Sequence, residues 1–369
     1  MKKSLLFLLL SLPLLLLISC KTDGGDSEQI TYYKITYNDG VDDVEISVPQ
    51  DNTNYKTGDK FTVKADGIGE RQGYDLLCWV DRRLPGLGRV FGGNKYSIDG
   101  NITLYALWQE KAETKAKPDA IGDVVLSNGT AIAAANISKM SDKQRNMAIA
   151  VIFYAGDTDE ALGKKMLGVG LIGKSFGGVA AGEIAWCKTS ANAYSVNIDT
   201  IQCNKNNESG IIKFTGDLDG SDNLEQISKF LKDNSLVDDT NIEENYPAFY
   251  WAKNYKNAKA DGDTYNSKFG VAIDTHVKGT AYEDGWYLPT RAEAYFLNKN
   301  ISPNNYKVVT LYKSLSDYYG YNVRAYGLWN EDSWTSSQCE NEYDKKCAYT
   351  STYYKGKGAN YNLCAIRKF

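Results

Sequence analysis

Residues 284–297 read DGWYLPTRAEAYFL. Thr290 and Glu293 stand three residues apart, immediately ahead of an apolar run. In that spacing a threonine hydroxyl accepts the N–H of the third helical residue, and the glutamate reaches back to the N–H of the cap. A helix is therefore predicted from Arg291. Upstream, MAIAVIFYAG (147–156) is a continuous apolar run of buried-strand length, and KKMLGVGLI (164–172) reads as a second strand. Asp222 and Glu225 repeat the capping spacing, with Leu224, Ile227, Phe230 and Leu231 on one face of the helix that would follow. Strands and helices in this order predict an α+β class for the larger part of the chain.

Within the second strand, LGVGLIGKS (167–175) satisfies two phosphate-loop patterns, G-x-G-x-x-G through Gly168, Gly170 and Gly173, and G-x-x-x-x-G-K-S through Ser175. Both need a buried strand before the first glycine and a helix after it, whose N-terminus holds the phosphate. Lys164 and Lys165 stand where the strand should be, and Gly177, Gly178 and Gly182 where the helix should run. Each glycine costs a helix about 1 kcal/mol relative to alanine. The context excludes a nucleotide site, and the glycines read as points of close backbone packing. DLDGSDNLEQIS (217–228) likewise opens like a calcium loop at Asp217, Asp219 and Ser221. However, Asp222 stands at the glycine position and Ser228 at that of the bidentate glutamate.

The chain has 369 residues, a net charge of −4 and 43% hydrophobic residues. This is ample for two cores, and it lacks the basic excess of a nucleic-acid binder. A single histidine, His276, stands among seven cysteines. That leaves no obvious Ser–His or Cys–His machinery, no metal-ligand spacing and no cofactor motif, so enzymatic activity is not expected.

The first residues, MKKSLLFLLLSLPLLLLISC, place two lysines before a fourteen-residue apolar run, Leu5 to Ile18. That is shorter than the roughly 20 residues of a membrane span and has the layout of a signal peptide. Leu17, Ile18 and Ser19 before Cys20 resemble the lipobox of bacterial lipoproteins. The resemblance implies cleavage after residue 19, acylation of Cys20 (a palmitate-type anchor) and a chain tethered to membrane by residues 20–31. Lys21 is not the aspartate that family associates with inner-membrane retention, which implies the outer membrane or cell surface. Exported cysteines are free to form disulfides. Six remain, Cys78, Cys187, Cys203, Cys339, Cys347 and Cys364, and fifteen pairings are open. Proximity favours Cys187–Cys203 and Cys339–Cys347.

Residues 32–108 alternate apolar and polar in short runs separated by turns: YYKITY, DVEISV, KFTVKA, GYDLLCWV and NITLYALW. YKITYNDG, TGDKFTV, QGYDLLCW and ITLYALW resemble the Listeria–Bacteroides repeat of surface proteins. That resemblance implies a small β-grasp-like fold with spacing and adhesive roles, and Tyr74, Trp79 and Trp108 are expected to pack its core. Residues 109–119, QEKAETKAKPD, read as a charged linker.

Residues 120–369 resemble an uncharacterised bacterial family with a C-type-lectin-like fold. The resemblance rests on GWYLPTRAE together with AIGDVVLSNGT, AIAVIFYAG, KKMLGVGL, EIAW, DSWTSSQ and LCAIRKF in the same order. It departs in a large insert around 230–282, at Tyr287 for the usual arginine, and at Thr335 for the usual serine. The motif residues Trp286, Pro289, Thr290, Glu293, Trp334, Ser336 and Ser337 are expected to be structural, with the two tryptophans in the core and the two serines bonding backbone in a tight turn.

Nine of the 27 tyrosines fall in residues 318–369. With asparagine, serine and glycine they make the composition of adaptable binding surfaces. Tyr326, Trp329, Asn330, Tyr343, Tyr349, Tyr353, Tyr354, Asn360 and Tyr361 are the ligand-binding candidates. Lectin-like domains of spirochaete surface lipoproteins include targets of diversity-generating retroelements, which accumulate such residues. WNED at 329–332 is similar to a calcium-lectin element but lacks its Glu-Pro-Asn or Gln-Pro-Asp partner. The reading is a monomeric, cell-surface lipoprotein binding a protein or glycan. Two alternatives stay open. One is an enzyme similar to the sulfatase-modifying proteins, working through Cys339, Cys347 or Cys364, and the other is a structural envelope protein without a ligand.

Overall fold

The computed structural model describes residues 30–84, 86, 88–157, 161–173, 184–236, 242–258, 275–301, 333–339, 345–351 and 353–369. The protein is mixed α and β, with more sheet than helix. The first part holds β1 (Ile35–Asn38), β2 (Lys60–Thr62), β3 (Tyr74–Asp81), β4 (Arg89–Val90), β5 (Lys95–Ser97) and β6 (Ile102–Glu110). β1 lies parallel to β6 in a sheet of order β1-β6-β3-β4, and β2 and β5 form a separate ribbon. Trp79 is the centre of its core. Its ring stands edge-on to Tyr37 at 4.7 Å and its indole donates to the Lys64 carbonyl at 3.0 Å. Trp108 is half-buried, tied by its indole to the Asp39 carbonyl at 2.7 Å. Tyr74, expected in the core, is half-buried beneath the Arg71 guanidinium, 4.2 Å from its ring.

DVEISV, expected as a strand, is not one. The Asp39 carboxylate takes the Ile46 N–H at 3.1 Å, the group a sheet ladder would have used. Residues 109–119, read as a charged linker, are held at several points by hydrogen bonds. β6 runs through Glu110, and Lys115 exchanges two backbone bonds with Ala131. The Ala112 N–H and carbonyl both bond the Gln144 amide, at 2.9 and 2.7 Å. Gln144 belongs to α1 (Asp142–Met147), where it also closes a capping box with Ser141. The Ser141 hydroxyl donates to Asp75 of β3.

The second part is organised by a five-stranded antiparallel sheet, order β16-β10-β9-β7-β8. These are β7 (Val124–Leu126), β8 (Ala131–Ile132), β9 (Ala148–Gly156), β10 (Lys165–Gly170) and β16 (Ile366–Lys368). The apolar run of β9 serves both faces. Val151 and Phe153 join one core with Ala292 and Leu297 of α5 (Arg291–Asn300). Ile149 and Ile152 join another with Ile227 and Leu231 of α2 (Asn223–Asp233) and with Phe249 and Ala252. α3 (Ile242–Asn245) and α4 (Pro247–Lys253) lie in the segment read as an insert. An outlying ribbon pairs β11 (Cys203–Glu208) with β12 (Ile211–Gly216), and a three-stranded sheet holds β13 (Trp334–Gln338), β14 (Cys347–Thr350) and β15 (Tyr354–Gly356).

Gly168 and Gly170 lie inside β10, where the Gly170 N–H donates to the Ala365 carbonyl at 3.0 Å. Aromatic rings sit directly on them. A Cβ at Gly168 would fall 2.5 Å from the Phe369 ring, and one at Gly170 would fall 2.4 Å from the Tyr255 ring. These glycines are contact points for core aromatics. Lys174 and Ser175 lie outside the described residues. Asp222 stands at the N-cap of α2 without a side-chain capping bond, and its carboxylate accepts from Gln226 at 2.9 Å instead. The preceding 3-10 turn ends in helical geometry at Asn223, so the chain enters α2 already wound.

Candidate binding face

The motif residues build a buried frame. Thr290 and Glu293 form the capping box of α5, and both are fully buried. Trp286 donates to the Tyr282 carbonyl at 2.7 Å, and its ring lies 4.4 Å from that of Tyr255. Trp334 donates to the Ile184 carbonyl at 3.2 Å and stands edge-on to Tyr361 at 5.1 Å. Buried Pro289 offers its carbonyl to the Ser336 N–H at 2.7 Å. Ser336 and Ser337 are strand residues of β13 and not part of a tight turn. The Ser336 hydroxyl accepts from the Asn223 amide at 2.8 Å and that of Ser337 from the Arg291 N–H at 3.0 Å. They join β13 to the starts of α2 and α5, because each of those helix ends brings a donor up against the strand.

Glu293 does more than cap. One carboxylate oxygen takes the Thr290 and Gly220 N–H groups at 2.9 and 3.2 Å, and the other takes the Tyr287 hydroxyl at 3.0 Å. Burial pushes its pKa up to about 7, against the pull of those N–H donors. Nearby, burial likewise raises Asp217 to about 6. Burial also opposes ionisation of Asp219, but the Lys368 ammonium, Ser221 and Lys165 outweigh it and hold that carboxyl far below its usual range. Lys165 and Lys368 contact Asp219 at 3.2 and 2.6 Å. The loop that opens like a calcium site is thus served by two ammonium groups. Among the described residues no cluster of three histidine, cysteine, aspartate or glutamate side chains could hold a metal.

Of the described binding candidates, the β14–β15 hairpin carries Tyr349, Tyr353 and Tyr354, and Asn360 and Tyr361 follow it. Tyr353 and Tyr354 are 68% and 61% exposed. Tyr349 pairs across the hairpin with Tyr354 but is half-buried, with the Arg291 guanidinium 3.6 Å above its ring. Asn360 is half-buried and bridges Ala185, and Tyr361 is packed against Trp334. The nine candidates therefore do not form one exposed set: Tyr349 is claimed by a cation and Tyr361 by the core. Tyr326, Trp329, Asn330, Tyr343 and Cys20 lie outside the described residues.

The hairpin is anchored from beneath. Lys357 is fully buried, with its ammonium donating to the Ala193 carbonyl at 2.6 Å and lying 5.1 Å from the Trp186 ring centre. Sequence reading singled out the tyrosines and passed over the lysines. Lys345 and Lys346 are exposed and Lys355 half-exposed on the same hairpin, and the signal for them was the run of basic residues among the tyrosines.

All six cysteines, Cys78, Cys187, Cys203, Cys339, Cys347 and Cys364, are buried as thiols, so neither Cys187–Cys203 nor Cys339–Cys347 is a disulfide. Burial pushes Cys203 and Cys364 up to about 12, which disfavours the thiolate a nucleophile needs. Among the described residues no helix is long and apolar enough to cross a membrane.

The fold and face define an α+β protein built on an antiparallel sheet buried on both sides, with a lysine- and tyrosine-bearing hairpin at its C-terminal end. No family model and no curated protein matches the chain. Among solved structures it is similar to a fimbrial protein from Bacteroides ovatus ATCC 8483, at 12% sequence identity and a TM-score of 0.36, covering 92% of this chain and 69% of that one. A TM-score of that size carries no argument about fold or function.

Proposed function

We propose that the chain is a lipid-anchored protein of the bacterial cell envelope, held at the outer surface through Cys20, that binds a protein or glycan ligand through its C-terminal hairpin. Residues 32–108 act as a repeat-type spacer of β-grasp kind, and residues 120–369 as a lectin-like body. The observation that carries the reading is the pair Tyr353 and Tyr354, exposed side by side on a hairpin anchored by buried Lys357 and adjoining buried Trp334. Large aromatics left in water over such a rigid base are the usual anchors of a binding surface. The chain acts as a monomer without cofactor, nucleotide or nucleic acid. Burial of Cys339, Cys347 and Cys364 argues against the cysteine-enzyme alternative.

The test is attachment of the detergent-solubilised mature chain to arrays of glycans and matrix proteins, with the Tyr353→Ala/Tyr354→Ala variant alongside. The double variant should lose attachment while melting as the parent does. A ligand bound equally well by the variant would reject the hairpin as the binding face.

A further inference from the structure

The charge of this protein is unevenly placed. The whole chain is net −4, yet residues 345–369 hold six lysines and arginines and no aspartate or glutamate. Three of the six are spoken for. Lys357 is internal, Lys368 is bonded to Asp219, and Arg367 lies against the Tyr282 ring. The other three, Lys345, Lys346 and Lys355, are on or beside the hairpin, and none forms a salt bridge with any described residue. Lys346 and Lys355 stand 5.7 Å from the ring centres of half-buried Tyr194 and Tyr361. Exposed Tyr353 and Tyr354 stand at the tip of the same hairpin.

We infer, resting on the binding face proposed above, that this hairpin takes an anionic polysaccharide, whose carboxylate or sulfate groups meet Lys345, Lys346 and Lys355 while sugar rings stack on Tyr353 and Tyr354. Net positive charge on an otherwise acidic protein selects a polyanion and steers its approach. The tyrosines select among polyanions. Tyr353 in the bend before β15 and Tyr354 at its first residue are both exposed and offer two ring faces, suited to a narrow chain of repeating rings more than to a flat protein surface. An extended acidic peptide is the poorer fit. β15 is three residues long and carries Lys355, and a short lysine-bearing edge resists strand addition.

The experiment measures binding of the mature full chain, in detergent, to polygalacturonate (carboxylate), dextran sulfate (sulfate), neutral dextran, poly-L-glutamate and inorganic polyphosphate. One or both charged polysaccharides should bind saturably, more tightly than poly-glutamate or polyphosphate, and dextran should not. Added salt should weaken binding about tenfold as the charges are screened. Lys345→Ala/Lys346→Ala/Lys355→Ala should weaken it at least about tenfold with unchanged melting, as should Tyr353→Ala/Tyr354→Ala, because ring stacking and ion pairing act together. Three results would overturn the inference: no binding to either charged polysaccharide, equal binding to poly-glutamate or polyphosphate, or indifference to the tyrosine variant. If no polyanion binds while the tyrosine variant still abolishes attachment on the array, the binding face stands and only the anionic ligand class falls.

Discussion

The ring of Tyr255 rests on the backbone of Gly170, and its hydroxyl accepts the Ile172 N–H at 2.9 Å. The contact explains a glycine pattern that matches a phosphate loop by letter. The backbone between Gly168 and Ile172 is occupied by its own ladder and by aromatic side chains, so its glycines serve packing.

Gly170→Ala should therefore destabilise the fold by about 1–3 kcal/mol, since the added methyl must displace a buried ring. Equilibrium urea unfolding measures it. A variant as stable as the parent would mean that the Tyr255 ring gives way without cost.

Glu293 makes stability depend on pH. Its folded pKa of about 7 lies above the ordinary glutamate value of about 4.3. Between those values the native state keeps a proton that the unfolded chain has released. Stability accordingly falls as pH rises through that window and levels off above it. Asp217, raised to about 6, adds to the fall with the same sign. Glu293→Gln should flatten much of the slope between pH 5 and pH 8 and leave the Asp217 part. Parallel slopes in parent and variant would show that Glu293 does not titrate there. Asp219 runs the other way: its depressed pKa gives stability that is present above the ordinary carboxylate range and is lost only in strong acid.

Gln144 joins the two parts of the chain. Gln144→Ala removes both bonds to Ala112 and half of the α1 capping box, and should cost about 1–3 kcal/mol by stranding buried backbone groups. Hydrogen exchange at Ala112 and Lys115 should quicken more than exchange in β9. Uniform change across the chain would mean that the junction is not a local fastening.

Cys20→Ala should leave the protein unprocessed or shift it from the detergent phase to the aqueous phase. Normal processing with unchanged partition would reject the acyl anchor.

Much of the local structure was legible. Thr290 and Glu293 lie within one helical turn, so their capping box is decided by neighbours in the chain. The apolar run of β9 could only be buried, whatever covered it. Other stretches departed from their pattern or composition where another group intervened. DVEISV has strand alternation, but the Asp39 carboxylate takes its Ile46 N–H. Asp222 has the capping spacing, but a 3-10 turn winds the chain before the helix begins. Residues 109–119 have linker composition, but Gln144 holds Ala112 across 32 positions.

The candidate face divides in the same way. Tyrosine enrichment marked the C-terminal segment, but enrichment does not say which rings meet water. Tyr353 and Tyr354 are exposed because they sit at the tip of a hairpin. Tyr361 is lost to Trp334 and Tyr349 to Arg291, each through a contact between residues far apart in the chain. Sequence by itself determined the class of the protein, the β9 strand, the α5 helix and the region rich in binding-type residues, because periodicity, capping and composition act over a few neighbouring residues. Tertiary structure alone decided that Glu293 is a buried carboxyl with a raised pKa, that the β10 glycines are seats for aromatic rings, and that three lysines without a salt bridge to any described residue share a hairpin with two exposed tyrosines. Burial and charge pairing depend on segments separated along the chain coming into contact.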